Sequence, residues 1–165
     1  MAICIGISQG SQPILGFNYG AEKYSRVRQT YRYSVTLCTV IATIFFICFQ
    51  FFPHQIVGIF GNGSDLYFHF AEKYLRIFML MTFANGIQPM SACFFTSIGK
   101  ARLGVIMSLT RQVLFLLPLI VIFPVFFGID GVMYAGPIAD TSAFVLAVVF
   151  ARRELGVMKA AEQNA

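Results

Sequence analysis

The sequence has few charged residues and no tryptophan. Asp, Glu, Lys and Arg make up 12% of its 165 residues, against about 25% in an average soluble domain. Acidic residues are scarcer than basic ones, 7 against 12, and the formal net charge is +5. So little charge argues against a soluble globular domain. The basic residues are spread along the chain and do not share one face, so we expect no nucleic-acid partner.

Motifs of enzymes and metal sites are also lacking. The chain contains no phosphate-binding glycine loop, no nucleophile elbow and no zinc motif. We therefore predict that it is not an enzyme and that it holds no cofactor and no metal. The four cysteines show no C-x-x-C spacing and lie in apolar surroundings, so we expect helix-packing residues rather than disulfides: they are Cys4, Cys38, Cys48 and Cys93.

What the chain does have is long apolar runs. Hydrophobic residues make up 58% of it, and the mean hydropathy is +0.74. A helix needs about 20 apolar residues to cross the ~30 Å hydrocarbon core of a membrane. Four successive runs reach that length: Tyr33–Phe52, Ile77–Gly99, Leu103–Gly128 and Gly131–Ala151.

These runs predict an all-α, polytopic transmembrane helix bundle whose partner is the lipid bilayer. The predicted domain covers the chain, 1–165, with full spans over about 33–52, 70–99, 103–128 and 131–151. Residues 1–19 are predicted to form a partial N-terminal helix, because their apolar segment is too short for a comfortable span.

The basic residues between the runs predict how the chain is threaded. The gaps 53–66 and 129–130 contain no Lys or Arg. Because cytoplasmic loops are enriched in Lys and Arg, we expect the basic segments and the C-terminus on the cytoplasmic side of the cell (inner) membrane. Lys73 and Arg76, on the external side, either snorkel to the interface or line a polar vestibule. The basic segments contain Lys23, Arg26, Arg28, Arg32, Lys100, Arg102, Arg152, Arg153 and Lys159.

Ordered motifs along the chain resemble a known transporter family. Gly6–Ala21 is similar to the end of the eighth helix of multidrug and toxic compound extrusion (MATE) transporters, and Phe94–Ala101 to their loop between helices ten and eleven. Ser108–Gln112 and Leu117–Leu119 resemble the eleventh helix, and Gly136–Asp140 resembles the twelfth. Each motif alone is weakly specific, but the set covers nearly the whole chain in the family's order.

This resemblance implies that the chain is most of the second lobe of a two-lobe transporter, from the end of helix eight through helix twelve. The N-terminal lobe would then be a missing partner. Such lobes enclose a central cavity and alternate between inward-facing and outward-facing states. The implied function is export of small organic cations or other amphipathic drugs and metabolites, in exchange for Na⁺ or H⁺ as the coupling ion.

Two charged residues lie deep inside predicted spans. Arg111 is about nine positions into its run, roughly 13 Å deep, and Asp140 is about twelve positions from the cytoplasmic end of its run, roughly 18 Å deep. A lone charge at mid-bilayer costs at least ~2.5–3.5 kcal/mol, and these two have opposite signs on adjacent antiparallel helices. We interpret them as an ion pair that ties helices together or as part of gating or ion coupling; the third alternative is that they do not touch.

The second run carries a polar stripe. Thr82, Asn85 and Gln88 recur at intervals of three residues, which places them broadly on one helical face, and Pro89 interrupts the backbone hydrogen bonds nearby. The stripe either lines a substrate or ion pathway or supplies hydrogen bonds between helices. The resemblance aligns Asn85 with a position where some Na⁺-coupled members have an acid, which puts a coupling carboxylate at that point in doubt.

Aromatic and sulfur-containing side chains beside this stripe are further pathway candidates. Phe78 and Met81 flank it, and such side chains adapt to varied ligands; plain packing is the alternative. Most other phenylalanines, Phe45 and Phe49 among them, are expected to face lipid or neighbouring helices. Candidate hinges, at which a helix could bend, are Pro89, Pro118 and Pro137.

Two other functions remain open from the sequence. The chain could be a truncated, non-transporting remnant or a partner of another membrane chain. It could also belong to a flippase of lipid-linked precursors, which shares the two-lobe architecture. Half of a cavity without its other wall would leave Asn85, Arg111 and Asp140 poorly solvated, so we expect marginal stability for the isolated chain.

Overall fold

The computed structural model describes residues 2–60 and 65–163, and in this part of the chain all regular structure is helical. Two short segments depart from α-helical geometry, a 3₁₀ turn at Thr82–Gly86 and a π-helical segment at Thr110–Leu116. The α-helices are α1 (Ala2–Gly20), α2 (Tyr24–Phe51), α3 (Pro53–Phe60), α4 (Asp65–Phe78), α5 (Ile87–Ser97), α6 (Ala101–Leu109), α7 (Leu117–Phe127) and α8 (Ile129–Gln163).

Within residues 2–60 and 65–163, four helical passages are long and apolar enough to cross a membrane, which confirms the predicted membrane bundle. They cover Tyr24–Phe51, Leu66–Ser97, Ala101–Phe126 and Gly131–Gln163. Several extend well beyond the apolar runs, because apolar residues mark the hydrocarbon core whereas a helix continues into the polar interface. Thus α2 begins at Tyr24, ahead of Tyr33, and α8 continues past Ala151 to Gln163.

The second passage is broken near its middle. Helix α4 ends at Phe78, residues 79–81 form a turn, and the 3₁₀ turn leads into α5. The 3₁₀ turn packs directly on α2: a Cβ atom at Gly86 would lie 2.9 Å from the carbonyl carbon of Cys38. Only glycine permits this approach without displacing the backbone of α2.

The third passage changes geometry without ending. Between α6 and α7 the backbone widens into the π-helical segment, and the N–H of Leu117 donates to the carbonyl of Gln112. Pro118 follows at once; it has no N–H to donate, and its ring crowds the carbonyl four residues earlier. A π-helical segment relieves that conflict and often marks a functional site.

The hydrophobic core lies toward the end of the bundle where α1 ends and α2 begins. Leu15, Val27, Met90 and Phe94 are fully buried there, and Met107 and Ala147 join them from α6 and α8. Tyr31 and Ser91 share a hydrogen bond of 2.8 Å across the same cluster. The core therefore joins α1, α2, α5, α6 and α8 at one end of the bundle.

Basic segments converge at this end. Lys100 Nζ lies 2.5 Å from Glu154 Oε1, and Arg28 pairs with Glu162, so the start of α2, the α5–α6 turn and the end of α8 lie together. At the opposite end His54 Nδ1 lies 2.7 Å from Glu72 Oε1. Lys73 and Arg76 are exposed near that end.

Candidate functional site

A cavity of about 390 Å³ lies between α1, α2, α4, the 3₁₀ turn, the π-helical segment and α8. It is mostly apolar, with one buried carboxylate and one guanidinium in its wall. Four of the residues predicted from the sequence line it: Phe78, Thr82, Arg111 and Asp140. The remaining lining residues are Ile3, Cys4, Ile41, Ala42, Phe45, Phe49, Met79 and Gly86.

Arg111 and Asp140 form an ion pair in the wall of this cavity. Arg111 Nε donates to Asp140 Oδ1 over 2.5 Å, and the Asp140 side chain is 5% exposed. Arg111 is held by the π-helical segment, and Asp140 lies one turn beyond Pro137 on α8. The two deep charges therefore compensate one another, as charges within a membrane must.

Aromatic rings form the opposite walls. Phe78 stacks on Tyr74 with centroids 5.4 Å apart. Its ring also packs on α8, since a Cβ atom at Gly136 would lie 2.7 Å from Phe78 Cε2. Phe45 and Phe49 face the cavity from α2, so our expectation that they face lipid or neighbouring helices omitted this role.

The predicted polar stripe does not line one surface. Thr82 reaches the cavity, and its hydroxyl donates to Met79 Sδ over 3.4 Å. Gln88 is buried elsewhere and donates from Nε2 to the carbonyl of Met107 over 3.2 Å. The side chain of Asn85 lies outside the described part of the structure, and Met81 is not among the described lining residues.

A second cavity, of about 340 Å³, is lined by two of the other candidate residues. Gln88 and Pro89 line it together with Ile5, Ala92, Ser108 and Gln112. Arg111 lines both cavities. Thr82 and Gln88 therefore line different cavities, and Arg111 borders both. The break at residues 79–86 interrupts the helical periodicity from which a single face was predicted.

The candidate hinge prolines occupy three different positions. Pro89 is the third residue of α5, where a missing N–H leaves no helical hydrogen bond unmade. Pro118 directly follows the π-helical segment. Pro137 is buried inside a continuous α8, and the Thr141 hydroxyl donates to its carbonyl over 2.6 Å.

Sequence reasoning missed the contribution of α1 and α2. Cys4 and Cys38 lie side by side, each thiol within 3.9 Å of the other's carbonyl oxygen, and Cys4 also faces the cavity. The α2 residues that line it recur at helical spacing: Ile41, Ala42, Phe45 and Phe49. That spacing was the available signal, but α2 has no charged residue there, so no charged face marks which side is outside.

Sequence comparisons place these features in a family. The model of the MatE family matches residues 1–135. The chain is 26% identical over 161 residues to the multidrug export protein MepA of Staphylococcus saprophyticus, covering 96% of this chain and 35% of that protein. It is 24% identical over 147 residues to MepA of Staphylococcus aureus, covering 89% and 32%. The chain thus spans about a third of the length of these curated relatives.

Solved structures agree. The MATE multidrug transporter DinF-BH, determined in complex with R6G, superimposes with a TM-score of 0.86 at 35% identity, covering 94% of this chain and 34% of that one. An outward-facing MATE transporter shares the fold with a TM-score of 0.86 at 18% identity, over 95% of this chain and 36% of its own. The chain is a multi-pass membrane protein and belongs to the MatE family.

Proposed function

We propose that this chain forms part of a secondary antiporter that exports organic cations or other amphipathic drugs and metabolites in exchange for Na⁺ or H⁺. The observation that supports it most is the cavity with aromatic walls and a buried Arg111–Asp140 pair. The names of the relatives, multidrug export and multidrug transport, point the same way.

The cavity suits such a substrate by size and chemistry. Its volume of about 390 Å³ falls within the ~300–1,000 Å³ of ordinary ligand pockets. The rings of Phe45, Phe49 and Phe78 offer apolar contact and attract cations through their faces. A substrate is then held by shape and ring contacts rather than by a dedicated hydrogen-bond pattern, which fits varied compounds.

The ion pair offers a way to couple transport to an ion. Asp140 is a buried carboxylate, and a proton or Na⁺ that binds it competes with Arg111 for the same oxygens. Loss of the pair frees the guanidinium, which borders both cavities. The pair can thus be formed or broken, and ion binding shifts the balance between these two states. Alternating access requires such a two-state element.

In this proposal the chain works with a second lobe in the cell (inner) membrane, with the basic end and the C-terminus in the cytoplasm. The exposed apolar side chains of α2 and of α6–α7 face lipid or that lobe. The coupling ion and the substrate pass between the lobes, so the activity belongs to the assembled transporter.

The test uses the full-length gene that contains this chain, expressed in cells loaded with a fluorescent lipophilic cation. We expect lower accumulation than in cells with an empty vector. Phe49→Ala, which removes a cavity ring, should weaken apparent affinity about two- to thirtyfold, the range of one cation–π contact from exposed to desolvated. Phe126→Ala removes a ring that is 75% exposed on α7 and serves as the matched control.

Accumulation equal to that of empty cells would contradict the proposal and favour a lipid-linked-precursor flippase or a non-transporting chain. Equal effects of Phe49→Ala and Phe126→Ala would be consistent with export but would contradict the assignment of this cavity as the substrate pathway.

A further inference from the structure

A cleft of about 800 Å³ lies at the basic end of the bundle, away from the cavity described above. It is formed by α2 and α8, which splay apart there. The described lining includes four basic residues and no acidic one: Ser25, Arg28, Gln29, Arg32, Tyr33 and Thr36 from α2, and Arg152, Leu155, Gly156 and Lys159 from α8.

The lining residues form one face of each helix. On α2 they recur every three or four residues, and on α8 they do the same, so each set is a single stripe. Arg28 is already neutralised by Glu162. Arg32, Arg152 and Lys159 therefore set the charge of the cleft, and three positive charges in one cleft favour an anionic occupant.

An apolar groove continues from the cleft along α2. It has a volume of about 380 Å³ and is lined by Val35, Thr36, Thr39, Val40, Thr43 and Ile44. Thr36 lines both spaces. The groove reaches eight residues further along the helix, about 12 Å at 1.5 Å per residue, in the direction of the bilayer core.

The order of these surfaces matches the order of groups in a phospholipid. Tyr33, 68% exposed, lies between the basic cleft and the groove, where aromatic residues mark the membrane interface. We propose that α2 and α8 bind an anionic phospholipid, with its phosphate between Arg32, Arg152 and Lys159 and one acyl chain along Val35–Ile44. A free phosphate carries the same charged group as the headgroup but has no acyl chain to occupy the groove.

The test uses the full-length transporter that contains this chain, in phosphatidylcholine nanodiscs with a minor fraction of phosphatidylglycerol carrying a photoactivatable group in one acyl chain. We expect crosslinks to concentrate on residues 35–44 of α2. Basic residues near a membrane surface contribute about fivefold each to binding of anionic lipid. The Arg32→Gln and Arg152→Gln double variant should therefore lower labelling about twenty-fivefold.

Arg153→Gln is the matched control. It removes the same charge one residue away on α8. Both side chains are exposed, but Arg153 is not among the described residues that line the cleft, so it acts on the bound headgroup only as a solvent-screened charge and labelling should stay within about twofold. Circular dichroism checks that each variant retains its helical content, so that a loss of labelling reports the site.

Three results would overturn the proposal. Equal labelling by photoactivatable phosphatidylcholine would show that charge is not recognised, and equal effects of Arg152→Gln and Arg153→Gln would show that the cleft is not the site. Displacement by inorganic phosphate as readily as by unlabelled phosphatidylglycerol would assign the cleft to a free anion.

Discussion

At the scale of single residues, the pairing of Arg111 with Asp140 explains how the bundle accommodates two charges deep in the membrane. Either charge alone would be strongly unfavourable in a membrane, and the structure joins them at 2.5 Å with Asp140 buried. Their depth and sign could be read from the sequence. The sequence alone could not show that Arg111 also borders a second cavity, because that depends on where α5 and α6 lie.

Neutralising both partners should cost less than the two single losses added together. Asp140→Asn removes the carboxylate that pairs with Arg111, and Arg111→Gln removes the guanidinium that pairs with Asp140; removing one partner of a buried pair costs about 3–5 kcal/mol. We expect the double variant to lose less than the sum of the single losses. SDS-induced unfolding in detergent, followed by circular dichroism, measures the free energy of unfolding for all four proteins. Additive losses would show that the pair contributes no coupling.

At the scale of elements, the sequence predicted the passages but not their interruptions. Apolar length is a sufficient signal for a membrane-length helix, and four such passages are present. The break at residues 79–86 contains no proline, and the local signals there, Asn85-Gly86 and Pro89 just beyond it, do not specify where α4 ends. It depends on the contact of Gly86 with the backbone of α2 at Cys38, a contact between distant segments. For the same reason the polar stripe could not be assigned correctly from helical periodicity.

The contact between α5 and α6 provides a test at this scale. A Cβ atom at Gly104 would lie 2.8 Å from the Ala92 carbonyl oxygen and would also meet the Thr96 hydroxyl. Gly104→Ala must therefore separate the two helices, at a cost of about 1–3 kcal/mol for overpacking. Thermal unfolding of the purified variant in detergent, followed by circular dichroism, measures the loss.

Gly10→Ala on α1 is the control for that substitution. A Cβ atom added at Gly10 would meet no described atom within 4 Å, so only helix propensity changes, in favour of alanine by up to about 1 kcal/mol. Destabilisation by both substitutions to the same extent would contradict the close approach of α5 and α6.

At the scale of the whole molecule, the candidate site is a product of assembly. Its cavity takes side chains from six segments between Ile3 and Asp140, and the sequence indicated only the polar and flanking residues among them. Phe45 and Phe49 were missed because α2 carries no charged residue at that level to distinguish its faces. The basic segments, by contrast, are distributed along the whole sequence, and the fold brings them together at one end of the bundle.

That arrangement predicts the orientation of the entire bundle. The basic end should face the cytoplasm, since Lys and Arg are retained on that side during insertion. In a cysteine-free background, Ala160→Cys at the exposed end of α8 should react with a membrane-impermeant maleimide only after the cells are permeabilised. Gln55→Cys, exposed on α3 at the opposite end, should react in intact cells. The reverse pattern would place the C-terminus outside, and with it the basic cleft of α2 and α8 in the outer leaflet.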